Sequence, residues 1–362
     1  MGKLAVQKYF SFMVLIVTAL MMIFTFVGLY GGNVNPAGNT ARSLLVYALP
    51  LLIAGNAILL LYWVILRRWH WALMPFITLL CCIPYIGTLY QVFGPDESAE
   101  KQPGLKVASY NVALFSRETS GFMAQDILSE MKKQKVDILC FQEYSDHSGD
   151  KKNSDSYKEY FPYMVLGESD MVIYSRYPIV RSKNIPFEMT NNSAMWVEVK
   201  VNDQVIRVYN AHLETTGINS TLHRAAKVQK NTGIEIENNA LLNAIYGNYT
   251  IGMMARAGQA NMLAMDMRES EVPLIVCGDF NDVPYSYVYN TMKGDLVDGF
   301  KECGKGFMHT FRGGNKKVRI DYIFHDKAFK GLTYYTKDIS YSDHYPVFMK
   351  MDIKQQKEEE ED

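Results

Sequence analysis

Between Tyr9 and Phe93 the chain carries only three formal charges, Arg42, Arg67 and Arg68, although the 362 residues hold 37 Lys+Arg and 38 Asp+Glu in all. Three apolar runs fill that interval, at 9–30, 44–66 and 71–93. Each reaches the roughly 20 residues that a helix needs to cross about 30 Å of hydrocarbon. Pro50, Pro75 and Pro84 would be costly in isolated soluble helices but are tolerated in membrane helices packed on neighbours. A cleaved leader behind Lys3 and Lys8 is the alternative for the first run; its length and the two spans that follow speak against it. Lys3 and Lys8 precede the first run, and Arg67, Arg68 and His70 lie between the second and third. By the positive-inside bias both basic segments are cytoplasmic, so three spans deliver everything after 93 to the opposite face. Such an arrangement suits a bacterial inner membrane with a periplasmic domain.

Residues 94–103 combine Gly94, Pro95, Pro103 and charge with no apolar period, which reads as a solvated linker. A soluble domain is expected over 104–352, and the acidic 353–362 reads as a solvated, disordered tail. Within the domain, strand-like runs at 105–112, 136–141, 171–175, 194–201, 205–213, 274–278, 319–324 and 345–351 are interleaved with helical patterns at 121–135, 238–265 (broken) and 287–293. Many strands with interspersed helices imply an α/β domain of two packed sheets with helices outside. The five cysteines form no CxxC pair, so a structural zinc site is disfavoured. Cys140 and Cys277 sit in strand-like runs as small buried hydrophobes, with a bridge between them left open.

Strong polar residues recur where the apolar strands end. Asn111, Glu143 and His212 each close such a run; Asp279 and Asn281 close another; Asp321 lies in Arg319-Ile320-Asp321-Tyr322, and Asp343-His344 precedes Tyr345-Pro346-Val347. Each has a bland reading as a cap, a turn residue or a structural histidine. Six recurrences are harder to explain that way, and convergence of these ends would fill one cleft with carboxylates, imidazoles and amides that need compensation. Oxygen ligands without a Cys or His cluster point to Mg²⁺, with Mn²⁺ the alternative. A divalent ion beside a His–Asp pair is the equipment for metal-assisted phosphoester hydrolysis. No P-loop, GxSxG or GxGxxG motif occurs, which weighs against triphosphatase, serine-hydrolase and dinucleotide readings.

Seven stretches together resemble the endonuclease/exonuclease/phosphatase superfamily of deoxyribonuclease-I-like metal-dependent phosphohydrolases: Ser109-Tyr110-Asn111-Val112, Phe141-Gln142-Glu143, Tyr174-Ser175-Arg176-Tyr177-Pro178-Ile179, Asn210-Ala211-His212-Leu213, Gly278-Asp279-Phe280-Asn281-Asp282, Arg319-Ile320-Asp321-Tyr322 and Ser342-Asp343-His344-Tyr345-Pro346-Val347. They occur in family order across 104–352. The resemblance implies a four-layer α/β sandwich behind the three membrane helices. It also implies that Glu143 is the principal Mg²⁺ ligand, with Asn111 and Asp343 completing the metal's surroundings. His344, oriented by Asp321, would contact the phosphate or take a proton from water. Asp279 and Asn281 would position nucleophile and phosphate, and His212 would stabilise phosphate or assist the leaving group; the division of acid and base roles among His344, Asp279 and His212 stays open. A long stretch at 216–255 departs from the family pattern and reads either as a substrate- or bilayer-facing insert or as a surface helical excursion.

Nucleic-acid binding normally leaves a basic footprint. Residues 104–352 hold 29 Lys+Arg against 30 Asp+Glu and so have none overall. A local cluster, Arg312, Lys316, Lys317 and Arg319, is a candidate for meeting an anionic substrate, or else a solvated hairpin. The balance favours a membrane-anchored phosphodiesterase or phosphatase, with the bilayer as its partner, over an extracytoplasmic nuclease acting on DNA or RNA. A catalytically silent tethered binding module is a further alternative, and the full set of polar strand-end residues argues against it. A transport role finds no charged residue in the spans that suits an ion pathway.

Overall fold

In the computed structural model the described residues are 3–38, 40–96, 98–113, 122–144, 151–168, 171–188, 190–232, 237–313, 317–339 and 341–353. The expected acidic tail and Lys316 lie outside the described residues, apart from position 353 at the end of the last strand. Two compact units emerge, one of Met1–Thr88 with Val283–Asn290, the other of Leu89–Asp282 with Thr291–Asp362.

The first unit is built on helices α1 (Lys3–Gly31), α2 (Thr40–Ile65), α3 (Trp69–Cys81) and the short α4 (Ile83–Ile86). Three stretches, Val6–Gly31, Thr40–Ile65 and Trp69–Ile86, are long and apolar enough to cross a membrane. Polar side chains join α1 to α2 internally: the Trp63 indole donates to Thr18 at 3.0 Å and the Asn56 amide to Thr25 at 2.9 Å. Such bonds replace water that apolar surroundings exclude. The third stretch stops at Ile86 rather than 93, because the Gly87-Thr88 turn ends it and residues 90–91 become a strand.

The second unit contains strands β1 (Tyr90–Gln91), β2 (Leu105–Asn111), β3 (Ile138–Gln142), β4 (Tyr163–Leu166), β5 (Val172–Ser175), β6 (Ile179–Pro186), β7 (Ser193–Val201), β8 (Gln204–His212), β9 (Leu274–Asp279), β10 (Val297–Asp298), β11 (Gly306–Phe307), β12 (Asp321–His325), β13 (Phe329–Thr336) and β14 (Val347–Ile353). Its helices are α5 (Phe122–Gln134), α6 (Lys151–Tyr160), α7 (Ile218–Thr232), α8 (Asn238–Arg268) and α10 (Gly299–Cys303), while α9 (Tyr287–Lys293) is divided between the units. One six-stranded sheet has the order β13-β14-β2-β3-β5-β4, the other β10-β12-β9-β8-β7-β6, and β1 pairs with β11 apart from both.

Alternation along the central strands explains the layering. In β2 and β3, Val107, Ile138 and Cys140 join Val197, Val208, Ile275, Cys277 and Ile323 of the other sheet in one core. Their neighbours Ala108, Leu139 and Phe141 face the opposite way, into a cluster with Ile127, Leu128 and Met131 of α5. With a side-chain period of two, apolar residues at successive positions bury both faces of the sheet. The other sheet's outer face meets α8, whose Asp266 accepts from Trp196 at 3.0 Å and Tyr209 at 2.7 Å. Helix, sheet, sheet and helix make the four layers. Residues 238–268 form one continuous helix rather than the broken one that the sequence suggests. Cys140 and Cys277 are buried free thiols, so the open question of a bridge is answered by packing.

Each sheet holds a single parallel pair at its centre, β2–β3 in one and β8–β9 in the other. Parallel neighbours require a crossover, supplied by α5 in the first case and by α7 and α8 in the second. Both crossovers therefore leave two adjacent strands ending on the same edge. Asn111 and Glu143 stand at one such edge, His212 and Asp279 at the other.

Candidate metal-dependent phosphoesterase site

Contacts across the two sheets bring those edges together. The Asn111 amide, fully buried, donates to Glu143 Oε1 and to Asp279 Oδ2, each at 3.0 Å, and so joins the first sheet to the second. His212 Nε2 lies 3.8 Å from Glu143 Oε1 and 3.9 Å from Asp279 Oδ2. Asp321 sits opposite Asp279 in the β12–β9 register. His344 completes the group: its Nδ1 is 3.0 Å from Asp321 Oδ2 and its Nε2 is 3.6 Å from Asp279 Oδ2. Asn281 donates its main-chain N–H to Asp279 Oδ1 at 2.9 Å and its side-chain amide to the Leu213 carbonyl at 2.9 Å.

Local backbone geometry fixes several of these side chains. Glu143 and Asn281 take left-handed conformations, with φ of 50° and 51°. Asparagine tolerates that region, whereas a glutamate held there costs about 1–3 kcal/mol, a strain typical of functional sites. Gly278 is required by close approach: at φ 143° a Cβ would lie 1.9 Å from the Ala211 carbonyl oxygen, on the strand that carries His212. Ser342 ties the His344 loop to β2, since its hydroxyl donates to the Asn111 carbonyl at 2.8 Å and accepts from the His344 N–H at 3.0 Å.

Electrostatics divide the cluster into two halves. Asp279 and Asp321 are each 1% exposed. Burial, reinforced by the Asp321 charge, pushes the Asp279 carboxyl up to about 6. At His344 burial disfavours the charged ring, but the Asp321 and Asp279 carboxylates outweigh it and raise the imidazole to about 10. One imidazolium thus stands between two buried carboxylates. Glu143, by contrast, leaves 38% of its side chain exposed at the mouth of the site. Asp279, Asp321 and His344 also offer ligand atoms within 4.8 Å of one another. As they stand, the three side chains form a buried ion-pair network.

Oxygen donors from two sheets, two imidazoles, a buried amide linking two carboxylates and a strained acidic residue at the opening make up this geometry. A sequence-family profile described as the Endonuclease/Exonuclease/phosphatase family matches residues 108–344, a span that contains every one of these side chains. The chain belongs to the endonuclease/exonuclease/phosphatase family. As a member, it is a metal-dependent phosphoesterase. A second profile, a domain of unknown function (DUF8431), matches residues 10–89. Among solved structures, an endonuclease/exonuclease/phosphatase from Bacteroides vulgatus is 15% identical, with a TM-score of 0.50 over 70% of this chain and 100% of that one. Humanized D. rerio TDP2 is 17% identical, with a TM-score of 0.49 over 68% and 98% of the two chains. Sphingomyelinase C from Streptomyces griseocarneus is 15% identical, with a TM-score of 0.45 over 69% and 99%. No curated protein matches the sequence.

In this phosphoesterase the basic cluster beside Asp321 is placed differently from expectation. Arg319 is fully buried, bonds both oxygens of Asp298 at 2.5 Å, and lies over the Phe300 and Tyr322 rings. Its position in the sequence suggested substrate contact; its burial makes it a core ion pair instead. Arg312 donates to the Ser342 carbonyl at 2.7 Å and to Asp338 at 2.7 Å, and stacks on Tyr345, so it braces the loop that carries His344. Lys317 is exposed. Asp343 is exposed as well, and its charge adds to those that hold His344 protonated.

Several supporting residues carried no expectation. Thr310 accepts from the Ile320 and Asp321 N–H groups, each at 3.0 Å, and fixes the start of β12. Gln142 donates to Asn210 at 2.6 Å and to Ser109 at 3.1 Å, while Asn210 donates to the Phe141 carbonyl at 2.9 Å. This buried network bolts β3 to β8 directly beneath Glu143 and His212. Its sequence signal is polar residues one or two places before the strand-end acids and imidazoles, where an inter-sheet face should be apolar.

Proposed function

We propose that the chain is a membrane-anchored, Mg²⁺-dependent phosphoesterase that hydrolyses phosphodiesters or phosphomonoesters, with Glu143, Asn111 and Asp343 holding the cation, Mn²⁺ serving as a substitute, and His344, Asp321, His212, Asp279 and Asn281 performing the chemistry. The observation that carries this reading is the Asn111 amide bridging Glu143 and Asp279, because it concentrates oxygen donors and excess negative charge at one opening. A hard divalent cation fits that donor set of carboxylate and amide oxygens. When bound, such a cation offsets charge on the phosphate and polarises its oxygens.

The remaining roles follow from the protein's own atoms. The His344 imidazolium, with Nδ1–H directed to Asp321, supplies a fixed positive charge to the phosphate. Asp279, near neutrality in its proton affinity, is suited to accept a proton from the attacking water. Asn281 holds Asp279 Oδ1 in place, and His212 faces both Glu143 and Asp279, where it stabilises the leaving oxygen. The reading places the apolar helices up to Ile86 as the anchor and 104–352 as the catalytic domain. Flanking Lys3, Lys8, Arg67 and Arg68 support a cytoplasmic N-terminus and an extracytoplasmic, periplasmic domain.

Near-neutral charge over 104–352 favours small phosphoesters or lipid head groups over nucleic acid. The full chain in detergent, offered a generic phosphodiester, inositol phosphates, sphingomyelin, DNA and RNA, is expected to prefer one of the first three. Selective cleavage of DNA or RNA would instead establish an extracytoplasmic nuclease. Topology has its own expected result: a reporter fused after Asp352 is active outside the cytoplasm, and activity confined to the cytoplasm would overturn the orientation.

A further inference from the structure

Between Glu237 and Asp266 the chain has a single charged residue, Arg256, and α8 buries it completely. A helix needing only an apolar inner face gains nothing from a buried guanidinium, since well-packed hydrophobic residues of similar volume are generally as stable. Its partners show what it holds. Arg256 Nη1 donates to the Glu214 carbonyl at 2.9 Å, and its Nε lies 3.5 Å from the Asp282 carboxylate. Glu214 is two residues beyond His212, and Asp282 directly follows Asn281.

Two more residues of the same helix face grip the same segment. Gln259 accepts from the Glu214 N–H at 2.8 Å, so α8 satisfies both main-chain groups of that residue. Gly252 lies one turn before Arg256, and a Cβ there would meet the Thr215 carbonyl oxygen at 2.3 Å. Positions 252, 256 and 259 share one side of a helix with 3.6 residues per turn. Leu213, between His212 and Glu214, accepts from Asn281 at 2.9 Å and from Asn192 at 3.0 Å.

We propose that Arg256, with Gln259 and Gly252, is a positioning clamp of the phosphoesterase site: it locks the chain leaving His212 to the chain leaving Asn281 and thereby sets His212 against Asp279. The proposal deepens the function proposed above and rests on it. Arg256 acts through His212. A guanidinium suits the task because its planar fork bonds a carbonyl and pairs with a carboxylate at once, which the point charge of a lysine does in less fixed geometry. The C-terminal half of α8, which follows the long 216–255 stretch, is thus part of the site's support.

The test uses the full chain in detergent with Mg²⁺ and a generic phosphodiester, comparing Arg256→Met, Arg256→Lys and the milder Gln259→Met in wild-type and His212→Ala backgrounds. A misplaced catalytic group costs about 10²-fold in rate, so Arg256→Met is expected to lower kcat by about that factor with little change in KM, Arg256→Lys to recover only part, and Gln259→Met to lower kcat by about tenfold. In the His212→Ala background the same substitutions should cost less than about threefold, because the group they position is gone. Equal fold losses in both backgrounds would reduce Arg256 to a stability residue and overturn the clamp.

Amide hydrogen exchange at Leu213 to Thr216 supplies a readout that needs no turnover. Arg256→Met and Gln259→Met should accelerate it by about tenfold or more while the β9 core keeps its protection, since local opening is separable from global unfolding. Unchanged exchange at those amides would sink the clamp whatever the activity. Conversely, accelerated exchange in a chain that cleaves no phosphoester would leave the clamp standing and contradict the phosphoesterase assignment of the site.

Discussion

Replacement of His344 by alanine is expected to lower kcat/KM for any phosphoester substrate by about 10²–10³-fold, the range associated with losing one preorganised stabiliser of transition-state charge. The ring is held from both sides, by Asp321 through Nδ1 and by Asp279 near Nε2, so its charge is fixed before substrate arrives. Asp321→Asn should produce a loss of similar order, and the double substitution little more than either alone, because the pair acts as a unit. Stability should change too. Without the imidazolium, Asp279 and Asp321 face each other across the β12–β9 register with no cation between them among the described side chains. His344 is raised from 6.5 to about 10, so the stabilisation it provides is complete below pH 6.5 and is lost as pH rises to about 10. Thermal melts of the wild type should therefore fall across that window, and those of His344→Ala should lack this component. Equal pH dependence in both proteins would remove His344 as its source.

The second large effect concerns the buried pair Arg319–Asp298. Removing one partner alone, as in Asp298→Ala or Arg319→Met, should destabilise the domain by about 3–5 kcal/mol, because the other charge is left in the core. Joint replacement by apolar residues should recover much of that loss. Since neither side chain reaches the opening, the folded fraction of each variant should keep its KM. A raised KM with unchanged thermal stability would restore Arg319 to the substrate-contact role that its position in the sequence suggests.

Arg319 also marks where the sequence stops being informative. Four basic residues near Asp321 read as an anionic-substrate face because sequence proximity does not distinguish a side chain stacked between Phe300 and Tyr322 from one in solvent. The strand-end acids and imidazoles were legible for the opposite reason: each interrupts an apolar run, and two parallel pairs can only end on one edge. The many strand-like runs interleaved with helical patterns likewise pointed to the two-sheet core. Strands β6 and β13 were missed, because polar and charged residues such as Arg181, Lys183 and Lys330 occupy their exposed faces and blur the apolar signal. Within α8, Gly247, Gly252 and Gly258 each lower helix propensity, and among them Gly252 has a close approach to account for it. Gln142 and Asn210 are a third kind of failure, since polar residues on an inter-sheet face make sense only once their partner strands are known.

The most direct test of the central claim is hydrolysis of a generic phosphodiester by the full chain in detergent, measured against Mg²⁺ concentration for wild type and Glu143→Ala. Glu143 is strained, half-buried at the opening and bridged by Asn111 to Asp279, which makes it the side chain on which cation binding should depend most. The expected result is activity that vanishes with chelator, saturates with Mg²⁺, and is lost by about 10³-fold or more in Glu143→Ala, as befits removal of charge stabilisation at the reacting group. Hydrolysis that survives both chelator and Glu143→Ala would contradict the proposed cation site.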